Sequence, residues 1–243
     1  MNLIKLDAID STNEFLKGLS NDISTQNFTI VTAETQTNGK GQMGSKWLSE
    51  SGKNLTFSIL IKNIISNINQ IFDLNVAVTL SIIDALERLN IPEIYIKWPN
   101  DIMSGNKKIA GILIENIKKS DNSIYSIIGL GLNVNQTNFN NLPNASSLKK
   151  IMNHDFNKDI IFNKIIESIK KNIFELENNN QNQLWGLYNG KLFKKGIIMA
   201  FENKNQEKFM GIIQNVTQTG KLQLLIENEI IKEFEIKEIV MLY

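Results

Sequence analysis

Two neighbouring stretches, Ile94-Tyr95-Ile96-Lys97-Trp98-Pro99-Asn100-Asp101 and Lys107-Lys108-Ile109-Ala110-Gly111-Ile112-Leu113, decide how this chain is read. The first is apolar until it meets a Pro-Asn-Asp turn, and the second opens on paired lysines before an apolar run. Strands are therefore expected over 93–98 and 108–117, separated by a turn over 101–107 that holds Ser104-Gly105-Asn106. On composition alone this is a turn beside a buried Trp98 and a lysine-protected strand end.

Working outward, further strands are expected over 28–33, 55–61 and 123–133. Apolar residues at helical spacing predict long helices over 73–89 and 156–176. A short helix over 10–20 has Ser11 as its cap and Glu14 to complete a capping box, with Phe15, Leu16 and Leu19 facing inward. Residues 35–52 form a Gly-rich polar loop, and 135–147, with Pro143, a second long loop. The Asn/Gln tract over 178–183 is the best linker candidate. Beyond Lys191, short strands over 196–201, 208–216, 221–226 and 230–236 alternate with turns, the pattern of a small antiparallel barrel. The expected fold class is α+β: a mixed β-sheet domain with packed helices over 1–189, then a small β-barrel over 190–243.

Charge and composition narrow the function. Lys and Arg number 26 against 25 Asp and Glu, so the net charge is +1 and the basic excess typical of nucleic-acid binders is missing. With no cysteine there are no disulfides, no thiolate metal sites and no cysteine nucleophile. The first residues lack the apolar stretch of a signal peptide, and no apolar run reaches membrane-spanning length, so a cytoplasmic protein with no membrane partner is expected. The single histidine, His154, lies in a polar stretch ahead of a helix and reads as a surface residue. Chemistry then falls to Lys, Asp, Asn and backbone groups, with no metal site built by the chain.

Gly39-Lys40-Gly41-Gln42-Met43-Gly44 fits the G-x-G-x-x-G pattern, but neither a helix nor a second strand with an acidic ribose partner follows it. What remains is a flexible loop whose amides and Lys40 can wrap an anion. Gly129 and Gly131 interrupt an apolar strand, which marks a bulge or the close approach of a ligand. Together these features suit two anions brought side by side. Joining a carboxylate to the α-phosphate of ATP asks mainly for alignment and charge neutralisation, and needs no histidine base.

The run Thr32–Gln42 with Trp47 downstream, then Lys97–Asp101, Lys108–Leu113 and Gly129–Asn133, resembles the biotin–protein ligases in order and spacing. That resemblance implies a class II synthetase-like catalytic domain followed by an SH3-like barrel. It implies activation of biotin by ATP, with Mg2+, to biotinyl-5'-AMP, and transfer to a lysine of a biotin carboxyl carrier protein. On the same resemblance Ser11, Thr12, Asn13, Gln36, Gly41, Gln42 and Gly111 belong to the biotin side, with Lys40 and Lys108 on the carboxylate and α-phosphate. Trp47, Lys97, Asn100, Asp101 and Asn133, again with Lys40, belong to the ATP side, Lys108, Lys40 and Asp101 being the catalytic group. The loop over 135–147 resembles one that closes over the adenylate. Where the family commonly reads Gly-Arg-Gly-Arg, this chain has Lys40 and Gln42, which keeps one charge without the planar fork and removes the other. The site pattern begins at Ser11, so the expectation is a monofunctional form without a helix-turn-helix and without DNA as partner. Dimers are frequent in the family, which makes a homodimer a further expectation. The alternatives are a lipoate or octanoate ligase, whose Arg-Arg and Gly-Gly-Gly signatures are absent, and a non-catalytic biotin binder.

Overall fold

The apolar run Leu55–Lys62 forms an interior strand of a seven-stranded mixed sheet, third from one edge. The computed structural model describes residues 2–65, 67, 70–140 and 142–243. In chain order the first part comprises β1 (Asn2–Ile9), α1 (Thr12–Leu19), β2 (Thr29–Gln36), β3 (Leu55–Lys62), α2 (Ile71–Glu87) and β4 (Ile94–Lys97). It continues with β5 (Asp101–Ser104), β6 (Lys107–Lys118), β7 (Ile124–Leu132), α3 (Leu148–Met152), α4 (Lys158–Glu177) and α5 (Gln181–Gly190). The strand order is β1-β2-β3-β7-β6-β5-β4. Among the described strand pairs of this sheet only β1 and β2 run parallel, and α1 supplies the crossover that a parallel pair requires.

Every residue from Leu55 to Ile61 is buried, because both faces of β3 are covered. On one face α1 lays Leu16 on Val31, Leu60 and Ile127. On the other lie α2 and α4, where Phe57 meets Phe162 edge-on with ring centroids 5.3 Å apart. Sheet, α4 and α5 surround α2, so this helix is apolar on nearly every side from Leu74 to Leu86.

Several expectations are corrected. Residues 101–104 are not turn but strand β5, pairing with both β4 and β6; only Gly105 and Asn106 make the turn. The expected linker over 178–183 runs straight into α5, since Trp185 stacks on Phe72 and donates to Asp73 Oδ1 at 2.7 Å. The capping box does not form: Ser11 takes extended N-cap backbone without a side-chain cap bond, and Glu14 turns to Lys40. Strand β1, helix α3 and the last strand of the chain, Ile239–Leu242, were not foreseen. Gly129 and Gly131 mark no bulge, for β7 keeps regular register with β3 and β6, and the irregularity lies between β5 and β6.

The remainder, β8 (Ile198–Asn203), β9 (Lys208–Val216), β10 (Leu222–Leu225), β11 (Ile231–Phe234) and β12 (Ile239–Leu242), forms a five-stranded antiparallel sheet in the order β11-β10-β9-β8-β12. It is tied to the first sheet where the Pro-Asn-Asp turn begins. Trp98 Nε1 donates to Gly220 O at 2.9 Å, and Ile96 exchanges backbone bonds with Lys191 and Phe193 at 2.8 Å. The Trp98–Pro99 bond is cis.

Candidate active site

The site lies on the α1 face of the sheet, and β7 shows how it is made. Residues 127, 129 and 131 share that face by strand alternation. Ile127 packs beneath α1. One step on, a Cβ at Gly129 would overlap the Asn13 side chain at the start of the helix. At Gly131 a Cβ would overlap the Trp47 indole, which also lies over the cross-strand partner Gly111. The two glycines are thus a floor on which Asn13 and Trp47 are seated; the close approach expected at this strand is made by the protein itself.

Lys108 reaches the same floor through the register shift between β5 and β6. In an unbroken strand residues 108 and 111 would face opposite sides; one extra residue turns both to the site. Lys108 Nζ lies 2.6 Å from Asp101 Oδ1 and 5.7 Å from the centre of the Trp47 ring. Asp101 is held at the head of β5, opposite Gly111. Beside it the Asn100 amide donates to Ile112 O at 2.5 Å, so this side chain also fastens the turn to β6.

Two cavities meet here. One, of about 250 Å³, is lined by Ser11, Thr12, Asn13, Gln36, Lys40, Gly41, Gln42 and Asn100. The other, of about 350 Å³, is lined by Lys97, Asn133, Phe139, Leu142 and Tyr243. Trp47, Asp101 and Lys108 line both, and Gly111 lines the first. All the residues singled out from the sequence therefore surround this pair of cavities. Asn133 is buried and donates to Ser146 O at 3.0 Å, anchoring the end of the 135–147 loop, in which Asn141 lies outside the described residues.

One side of the first cavity is a buried polar cluster. Ser58 Oγ bonds Thr12 Oγ1 at 2.7 Å and Asn13 Oδ1 at 2.5 Å. Thr12 N donates to Gln36 Oε1 at 2.8 Å, and Asn13 Nδ2 to Glu115 Oε2 at 2.9 Å. On the loop side Lys40 Nζ bonds Glu14 Oε1 at 2.6 Å. That bond holds the Glu14 carboxyl below the usual carboxylate range and raises the Lys40 ammonium above its own. Each of the two lysines is paired with an internal carboxylate that an anionic ligand would have to displace.

The sequence reading missed Ser58, Glu115 and the Glu14–Lys40 pair. Ser58 and Thr56 did carry a signal, being small hydroxyls at alternate positions of an otherwise apolar strand. Lys237 and Tyr243, which reach the cavities from the second sheet, carried none.

The family model described as the Biotin/lipoate A/B protein ligase family matches residues 6–133. The chain belongs to this family. Among family relatives, the bifunctional ligase/repressor BirA of Bacillus spizizenii is 34% identical over 134 residues, which cover 55% of this chain and 41% of that protein. The chain thus spans about two fifths of that relative's length. The biotin–[acetyl-CoA-carboxylase] ligase of Mycobacterium tuberculosis is 26% identical over 80% of this chain and 72% of its own length. The biotin protein ligase from Aquifex aeolicus, solved in complex with biotin and ATP, superposes with a TM-score of 0.82 at 28% identity, covering 99% of this chain and 98% of that one.

Proposed function

We propose that this chain activates biotin with ATP and transfers it to a lysine of a biotin carboxyl carrier protein. The observation that carries the reading is the polar cluster of buried Thr12 and Asn13 with half-buried Gln36, backed by buried Ser58, in a cavity also lined by Lys108 and Asp101. A ureido ring offers N–H donors and a carbonyl acceptor to such a cluster. The dithiolane of lipoate offers neither, and a site built for hydrogen bonds rejects a ligand that leaves them unmade.

In the first step a biotin carboxylate oxygen attacks the α-phosphorus of ATP, the bond to the β-phosphate oxygen breaks, and pyrophosphate leaves. Lys108 leaves Asp101 and Lys40 leaves Glu14 to neutralise the crowded oxygens on which charge develops. ATP enters as its magnesium complex, the ion neutralising the phosphates and needing no cage from the protein. Trp47 and Asn133 would hold the adenine side, with Lys97 and Asn100 on the nucleotide, while Ser11, Gly41, Gln42 and Gly111 would complete the biotin side. In the second step the carrier lysine amine attacks the carbonyl of the mixed anhydride and AMP leaves. Asp101, freed of Lys108, accepts the amine proton in this reading.

Residues 1–189 act in this reading as a class II synthetase-like catalytic domain, and 190–243 as an SH3-like barrel. The reaction suits the cytoplasm, and among the described residues no helix is long and apolar enough to cross a membrane. Mass spectrometry tests the whole sequence of steps. With biotin, ATP and magnesium, the expected products are biotinyl-AMP and a carrier domain heavier by one biotin on one lysine. Octanoyl or lipoyl transfer in place of biotin would assign the other branch of the family.

A further inference from the structure

We infer that Lys237, carried by the second sheet, is a positioning residue of the active site: it clamps the glycine loop and adds positive charge beside the anion pocket. Lys237 sits in the turn between β11 and β12 and lines the first cavity. Its Nζ donates to the backbone carbonyl of Met43 at 2.8 Å, in the turn Gln42–Gly44 at the tip of the loop. Both partners have left-handed backbone, φ 66° at Lys237 and φ 50° at Met43, where glycine is the favoured residue. At Lys237 the side chain is put to use, its ammonium reaching across to the loop.

The charge arrangement gives that use. Lys40 and Lys108 are each paired with a carboxylate, whereas among the described residues Lys237 has none and spends one N–H on a neutral carbonyl. An ammonium has three donors, so two remain for an anion. The loop itself has the uncharged Gln42 beside Met43, and Gln42 and Lys237 both line the adjoining cleft that runs along β12. Lys237 and position 42 therefore line the same two cavities, with Lys237 reaching them from the second sheet. One bond both seats the loop and aims the charge, so loop seating depends on the second sheet.

This inference rests on the proposed nucleotide-dependent reaction for its kinetic arm only. The full chain is compared with Lys237→Gln, Lys237→Arg and Lys237→Gln with Gln42→Arg. Tryptic cleavage after Lys40 and Lys46, read by mass spectrometry in ligand-free protein, reports loop seating without any activity. Lys237→Gln should raise that cleavage about fivefold and raise the KM for ATP in pyrophosphate exchange about tenfold, the scale of losing a charge-assisted bond, with kcat and melting temperature little changed. Lys237→Arg should restore both readouts. Adding Gln42→Arg should restore the KM but not the seating, since it returns charge without the Met43 bond. Unchanged cleavage and unchanged KM in Lys237→Gln would overturn the inference, as would equal loss in the arginine variant. A wild type inactive with biotin would remove the functional reading, and the cleavage comparison would still decide on the clamp.

Discussion

The two walls of the active site are built on opposite principles. The floor is sheet: β6 and β7 pair continuously from Ala110 with Leu132 to Lys118 with Ile124, and Ile112, Leu130 and Leu132 behind it are almost wholly buried. The glycine loop folds mainly on itself, through Gly41 N to Ser45 O at 2.7 Å and Trp47 N to Gly39 O at 2.9 Å. Its external ties near the tip are two exposed lysine contacts, Lys40 to Glu14 and Lys237 to Met43. Such segments belong to the low-stability end of a native structure. The difference teaches that position is supplied by the sheet and enclosure by the loop. Reacting groups on the floor should then control rate, and groups on the loop should control retention.

Replacing Lys108 by Gln tests the floor with the largest expected effect. It removes the charge and keeps much of the length, so adenylation should fall about 10²–10³-fold with the fold intact. Pyrophosphate exchange and circular dichroism read the two halves of that statement, and near-normal exchange would remove Lys108 from the site. Gly131→Ala comes next. Its methyl group would meet the Trp47 indole and push it from the floor, with about a tenfold loss in kcat/KM, the scale of an overpacked contact. A shift in indole fluorescence, absent when Trp47 is Phe, would show that the ring moved; an unchanged spectrum would mean that the floor yields more easily than a sheet should.

On the loop the expected effects are smaller. Biotin should protect the bonds after Lys40 and Lys46 from trypsin, and equal digestion with and without it would blur the contrast between the walls. Lys40→Arg with Gln42→Arg should slow the escape of preformed adenylate severalfold, since each guanidinium offers a bidentate fork. Equal or faster escape would mean that loop charge does not govern retention. The least effect concerns the scaffold behind the floor. Burial pushes the Asp73 carboxyl above the usual carboxylate range, and the Trp185 bond only partly offsets this. A carboxyl with a raised folded pKa favours folding as pH falls through that value toward the unfolded one, and opposes it above. Asp73→Asn should therefore melt slightly higher than wild type near neutral pH, with the gain shrinking as the pH falls; thermal melts at two pH values check the sign.

How much of this was legible in the sequence follows the same division. The helical spacing of α2 and the apolar runs of β3, β6 and β7 announced the sheet and its main helix, because local pattern and tertiary burial agree there. Strand β5 was hidden by its brevity and by flanking turn residues, and α5 by an Asn/Gln tract that reads as linker until Trp185 finds Asp73. For the site, motif order gathered the lysines, Asn100, Asp101 and the glycines, since they lie in short runs. What escaped were partners joined only by folding: Ser58 with Asn13 across 45 positions, Asn13 with Glu115 across 102, and Met43 with Lys237 across 194. No local signal links residues so far apart.

The central claim is that a hydrogen-bonding cluster and a lysine-bordered floor are assembled for biotin and ATP together. Exchange of labelled pyrophosphate into ATP, with biotin and lipoate supplied in parallel, tests it most directly. Biotin should support rapid exchange that Lys108→Gln lowers about 10²–10³-fold, and lipoate should support little. Exchange with lipoate and none with biotin would contradict the assignment of the polar cluster, and with it this account of the site.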